Sequence, residues 1–178
     1  MANIDKRSLI RLSKSSLSDL EKQAVLGVLD QEYLGMGKEV REFEQGLKNF
    51  FGRPTVCVIN GTVALQLALQ ACGIGEGDEV LVQSLTYVAS FQAISATGAK
   101  PVACDVEQET LCLDWRDAEQ RLTPKTKAVM PVHYAGGVGA LDDIYVFAEK
   151  YGLRVIEDAA HAFGTVYNKK RVGSFGDI

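Results

Sequence analysis

The chain has 178 residues, 47% of them hydrophobic and 24% charged, with 17 glycines and only 4 prolines. That balance suits a globular chain with a proper core and excludes a disordered, collagen-like or fibrous one. Net charge is −4, from 19 basic and 23 acidic residues, and the basic residues are scattered, so the electrostatic footprint of a nucleic-acid partner is missing.

No apolar run approaches the ~20 residues that a membrane helix needs, so no membrane span is expected. The opening Met1-Ala2-Asn3-Ile4-Asp5-Lys6-Arg7 leads into polar sequence and does not read as a signal peptide. Cys57, Cys72, Cys104 and Cys112 show no Cys-x-x-Cys spacing, and His133 and His161 are the only histidines. No metal site is expected from that set. The cysteines lie mostly among apolar residues and read as reduced thiols of a cytoplasmic protein.

In chain order, two helices come first, about Ser18–Gln31 and Glu39–Phe51, joined by the glycine-punctuated loop Tyr33–Gly37. They belong to a helical segment over residues 1–52. From residue 53 onward short Val- and Ile-rich runs alternate with longer amphipathic stretches. Thr55–Ile59, Glu79–Gln83, Lys100–Cys104, Ala128–Val132 and Leu153–Glu157 read as buried strands. Thr62–Cys72, Val88–Thr97, Asp114–Leu122 and Leu141–Tyr151 read as helices, and Gly73, Gly98 and Gly152 supply stop signals. Such alternation predicts an α/β chain with a mostly parallel sheet and helices on its faces. Val166–Val172 reads as a hairpin around a polar turn. The closing Gly173-Ser174-Phe175-Gly176-Asp177-Ile178 has no cap or polar tail, which reads as a cut rather than a natural terminus.

In open α/β sheets ligands bind beyond the carboxyl ends of the strands, so the residues following each predicted strand are the candidates. Asn60-Gly61-Thr62 is a strand-turn-helix junction where free N–H groups and the helix dipole would suit a phosphate. A plain helix cap at Thr62 explains these residues equally well. Tyr87, after the second strand, could lie against a flat ring, or could simply be core or rim. Asp158, after the fifth, is costly to bury at the end of a central strand unless it meets a cation or a donor. It could accept from a protonated ring nitrogen of a bound cofactor, or merely cap the following turn. His133 and His161 individually favour no catalytic role. Neither glycine-rich loop is a nucleotide site: Gly73–Gly77 precedes a strand, and in Gly137-Val138-Gly139 the third glycine position falls on Asp142.

Taken together, several stretches resemble one family. They are Gly35–Glu44, Asn60–Leu65, Gly75–Val80, Thr86–Ser90, Pro131–Gly136 and Glu157–Ala162. In order and along essentially the whole chain, they are similar to the first part of the DegT/DnrJ/EryC1/StrS aminotransferases. That resemblance implies the three-layer αβα sheet of the pyridoxal-phosphate (PLP) aspartate-aminotransferase fold, type I, with residues 53–178 as the N-terminal part of its large domain. It implies transamination of a nucleotide-linked keto-sugar with glutamate as the usual amino donor, and a homodimer. The His-Tyr-Ala-Gly and Asp-Ala-Ala-His stretches resemble members that aminate UDP-linked 4-keto-pentoses for lipopolysaccharide modification.

By the same resemblance Gly61, Thr62 and Val63 would hold the phosphate, and Tyr87 would stack on the pyridine ring. Asp158 would pair with the ring nitrogen, and His161 would lie near the ring and its 3′-oxygen; Asp158 and His161 are the catalytic candidates. The family's Schiff-base lysine lies beyond residue 178, and Lys169 and Lys170, on a predicted hairpin turn, are unsuited to replace it. The 178 residues alone are therefore expected to be inactive. Two alternatives stay open: a sugar 3-dehydratase of the same family, and a non-catalytic binding or regulatory module.

Overall fold

The computed structural model describes residues 15–178; the reading of residues 1–7, and the part of the helical segment before residue 15, lie outside the described residues. The chain divides into two units, one ending at Phe43 and one running from Glu44 to Ile178. In the first unit α1 (Asp19–Asp30) opens on a capping box: the Ser18 hydroxyl accepts from the Leu20 N–H, and the Glu21 carboxylate accepts from the Ser18 N–H at 2.6 Å. α2 (Lys38–Phe51) runs from this unit into the second.

The second unit follows the predicted alternation: α3 (Gly61–Ala71), β1 (Glu79–Gln83), α4 (Ala89–Ala96), β2 (Lys100–Cys104), α5 (Trp115–Gln120), β3 (Thr126–Met130), α6 (Leu141–Tyr151) and β4 (Arg154–Val155). The four strands are parallel, in the order β2-β1-β3-β4. Every residue of β1 is buried, as expected for a parallel strand covered on both faces. Its side chains alternate between two cores. Val80 and Val82 pack with Leu69 of α3 and Ile94 of α4, whereas Leu81 packs with Ala118 of α5 and with Ile144 and Phe147 of α6. The period of two along the strand thus sorts one apolar run onto two helical layers, giving the three-layer αβα arrangement.

β1, β2 and α6 match their expected bounds, and the other helices do so within one or two residues. Val166–Tyr167 and Lys170–Arg171 form β5 and β6 of the expected hairpin; its turn residues Asn168 and Lys169 both have positive φ, the geometry of a tight primed turn. No helix among the described residues is long and apolar enough to cross a membrane.

Two expectations need correction. Thr55–Ile59 is not a strand: no strand of the described residues pairs with it, and Val56 and Ile59 are 75% and 85% exposed. Val and Ile create strand propensity, but without a neighbour to accept its backbone hydrogen bonds the segment has no ladder to join. Asp158 does not follow a central strand either, because β4 lies at the edge of the four-stranded sheet. The other side of β4 is met by Asp177, whose N–H donates to the Val155 carbonyl and whose carboxylate accepts from the Val155 N–H, both at 2.9 Å.

The Gly136–Gly139 loop also finds its reason. A Cβ on Gly139, where φ is +58, would stand 2.5 Å from the Cys112 Cβ. Glycine is there for close packing and a left-handed backbone, not for a phosphate.

Candidate active site

Strand order reverses between β1 and β3, and the loops leaving the carboxyl ends of the sheet converge on one side of that switch point. A cavity of about 210 Å³ opens there. Its walls bring together residues far apart in sequence: Gly61 and Thr62 from the start of α3, Thr86 and Tyr87 after β1, and Asp158 and His161 after β4. Five of the six residues expected in the site therefore meet in one cavity.

Val63 does not join them. Its N–H donates to the Asn60 side chain at 2.9 Å, so this amide is already used. Asn60 is the helix cap and Thr62 lies inside the first turn, which removes the reading of Thr62 as the cap. The amides of Gly61 and Thr62 have no carbonyl one turn earlier to reach, and the helix dipole adds positive charge at this end. With the Thr62 hydroxyl they make one wall of the cavity a set of donors.

The opposite chemistry lines the same cavity. Asp158 is 7% exposed, and its main chain bonds back into the β3 extension: its N–H donates to the Pro131 carbonyl at 2.9 Å, and its carbonyl accepts from the His133 N–H at 3.0 Å. The Asp158 carboxylate accepts from the Ser90 hydroxyl at 2.8 Å and from the Ala160 N–H at 3.3 Å. The second bond is the weak turn-capping contact considered from sequence; the first is the stronger one. Tyr87 is 71% exposed beside the cavity, so its ring is rim rather than core. The His161 Nδ1 accepts from the Ala135 N–H at 3.4 Å, and its ring lies 5.8 Å from that of Tyr134.

One buried residue that the sequence reading passed over, next to Asp158, gathers the Gly173–Gly176 segment. Glu157 sends one oxygen to the Tyr145 hydroxyl (3.1 Å) and to the Phe175 and Gly176 N–H groups (2.7 and 2.6 Å). Its other oxygen takes the His133 Nε2 (2.8 Å) and the Gly173 N–H (3.1 Å). Burial alone would raise its pKa. The hydrogen bonds from His133, Gly176 and Gly173 outweigh that and hold it below the usual carboxylate value. A carboxylate that only accepts requires the proton on the Nε2 of His133, which makes His133 a satisfied core histidine. Arg53 holds the same segment from its carbonyl side, donating to Ser174, Gly176 and Asp177. The clue was an acidic residue inside the apolar run Leu153–Glu157, just before Asp158.

The chemistry of the lining fits PLP: donors for a phosphate, a carboxylate for a cationic nitrogen, and an exposed aromatic ring beside them. The nine lysines of residues 15–178 are all exposed, and none lines the cavity.

The class of protein follows from comparison with known families. The model of the DegT/DnrJ/EryC1/StrS aminotransferase family matches residues 15–178, and the chain belongs to that family. An aminotransferase from Psychrobacter cryohalolentis is 38% identical with a TM-score of 0.86, covering 90% of this chain and 42% of that one. A protein from Streptococcus pneumoniae described as a sugar aminotransferase, Spr1654, solved in a PMP form, is 32% identical with a TM-score of 0.89, over 94% and 46% of the two chains. A GDP-4-keto-6-deoxymannose-3-dehydratase, with a trapped PLP-glutamate geminal diamine, is 26% identical with a TM-score of 0.85, over 93% and 45%. The fold is that of the type I PLP-dependent aminotransferases, and the chain spans less than half the length of these structures.

Proposed function

We propose that the protein is a PLP-dependent aminotransferase that converts a nucleotide-linked keto-sugar to an amino-sugar, with glutamate as amino donor and a UDP-linked 4-keto-pentose as the substrate type. The observation that carries this reading is the cavity itself: a helix start with free donors and a buried carboxylate line one space together with Tyr87 and His161, in a chain of an aminotransferase family. In this reading residues 1–52 are a helical segment ahead of the cofactor-binding residues 53–178. The protein works as a homodimer in the cytoplasm, in keeping with its four free thiols.

When bound, PLP supplies an electron-withdrawing pyridinium ring, and the protein's part is to hold and tune it. The Gly61 and Thr62 amides and the Thr62 hydroxyl bind the phosphate, with the Val63 amide withheld by Asn60. Tyr87, at the rim of the cavity, would lie against the ring. Asp158 keeps a proton on the ring nitrogen, because a nearby negative charge favours the protonated form. His161 lies beside the ring, with its Nδ1 engaged by Ala135.

The test supplies the whole protein with PLP, glutamate and a UDP-4-keto-pentose. The expected result is 2-oxoglutarate in step with an amino-sugar nucleotide, both lost when PLP is withheld. Loss of water from the sugar at C3 with no nitrogen gained would establish the dehydratase alternative, which the likeness to the GDP-sugar dehydratase supports. PLP retention with neither product would leave only a binding module.

Thr62 offers a sharper probe. Thr62→Ala should weaken PLP binding by about 1–3 kcal/mol, the range for a hydrogen bond to a charged group. Because Asn60 is the cap, the melting temperature without PLP should stay within about 2 °C, since no cap is removed. Unchanged PLP affinity would remove Thr62 from the phosphate site.

A further inference from the structure

Beside Asp158 lies a pair of hydroxyls that the proposed chemistry has not yet used. Ser90, in the first turn of α4, is 0% exposed, and its hydroxyl donates to Asp158 Oδ2 at 2.8 Å. The Thr86 hydroxyl lies 2.8 Å from the Ser90 oxygen. A hydroxyl carries one proton; once Ser90 gives its own to Asp158, its oxygen is left to accept, and Thr86 becomes the donor. Ser90 has a local alternative, the Tyr87 carbonyl at 3.4 Å, but the geometry favours the carboxylate.

The two oxygens of Asp158 are therefore unequal. Oδ2 is engaged by the buried Ser90 hydroxyl, backed by the half-buried Thr86 of the cavity wall, while among the described residues Oδ1 meets the Ala160 N–H at 3.3 Å. A carboxylate rotates easily about its last bond, whose torsional preference is broad. Something must hold its plane if one oxygen is to serve a ligand in the cavity that Asp158 lines.

We propose that Ser90, backed by Thr86, is a positioning residue for Asp158: the relay fixes the plane of the carboxylate and presents Oδ1 to a cationic ring N–H in the cavity. This rests on the reading of Asp158 as the partner of the PLP ring nitrogen. Ser90 never touches the ligand; it acts through the carboxylate. Thr86 contributes less, since it acts at one more remove.

The experiment compares Ser90→Ala, the near-isosteric Thr86→Val and Asp158→Asn in the whole protein loaded with PLP carrying ¹⁵N in its ring. The ¹⁵N chemical shift reports protonation of the ring nitrogen independently of turnover. Ser90→Ala should move the shift toward the unprotonated value and lower kcat about tenfold, equivalent to one hydrogen bond to a charged group. Its PLP dissociation constant should change by less than about threefold, because the phosphate donors are untouched. Thr86→Val should shift the signal in the same direction by less. If Asp158→Asn moves the ¹⁵N signal and neither hydroxyl variant does, the relay is overturned while the role of Asp158 stands. A lower melting temperature in Ser90→Ala with an unmoved signal would equally overturn it, reducing Ser90 to packing. If Asp158→Asn leaves the signal in place, the reading of Asp158 fails first and the relay with it.

Discussion

Asp158→Asn in the whole protein is expected to lower kcat at least about a hundredfold, roughly 3 kcal/mol of transition-state stabilisation, with a far smaller change in PLP affinity. Asn is nearly isosteric: its one amide oxygen can still accept from the Ala160 N–H, and its NH2 can donate to a Ser90 hydroxyl that turns to accept. The fold and the cavity should therefore survive. What is lost is the negative charge, the feature of the site that favours a proton on the ring nitrogen. If Asp158 only capped the turn through the Ala160 N–H, Asn would serve nearly as well. Near-normal turnover in Asp158→Asn, measured beside an intact melting curve, would remove it from the centre of the proposed site.

The second large effect is expected at Glu157. Glu157→Ala should lower stability by about 3–5 kcal/mol, because it leaves buried donors without their acceptor. Those donors are the His133 ring, the Tyr145 hydroxyl and the N–H groups of Gly173, Phe175 and Gly176. For a chain of this size that is a fall of roughly 6–20 °C in melting temperature. A change within about 2 °C would show that water or rearranged backbone replaces the carboxylate at little cost.

The pH dependence has a definite sign. The folded-state pKa of Glu157 lies below its ordinary value of 4.5, so the folded state holds its proton less tightly than the unfolded one. Its contribution is present in full above the unfolded value and is lost as pH falls through the folded one. In denaturant titrations the stability gap between the wild type and Glu157→Gln should be constant near neutrality and shrink on acidification below about 4.5. A gap that widens with acid would contradict the lowered pKa.

Much of the fold is legible in local pattern. Glu79–Gln83 and Lys100–Cys104 read as strands because short apolar runs sit between turn residues, and they are strands. Leu141–Tyr151 reads as a helix from its apolar spacing and from Gly152, which adopts the left-handed conformation at its end. Thr55–Ile59 shows where pattern fails. Its composition is that of a strand, but a strand exists only when a neighbour pairs with it, and pairing is not a property of the segment. Asn60 marks a similar limit: both Asn60 and Thr62 can cap a helix, and only the backbone geometry shows that Asn60 does so.

The site divides along the same line. Position after an apolar run or at a helix start made Gly61, Thr62, Tyr87 and Asp158 candidates, whereas His161 entered only through the family resemblance. Sequence alone also supports the family, since the resembling stretches run in order through the region that the family model matches. Tertiary structure decided the rest. It took the Val63 amide out of the donor set by giving it to Asn60, joined Ser90 to a carboxylate 68 positions away, and turned Glu157 into the anchor of Gly173–Gly176. The physical reason is common to all three. Hydrophobic periodicity is written along the chain and survives in any window of it. The partner of a buried polar group is chosen by whichever donor or acceptor the folded backbone brings within about 3 Å, and no local stretch of sequence carries that distance.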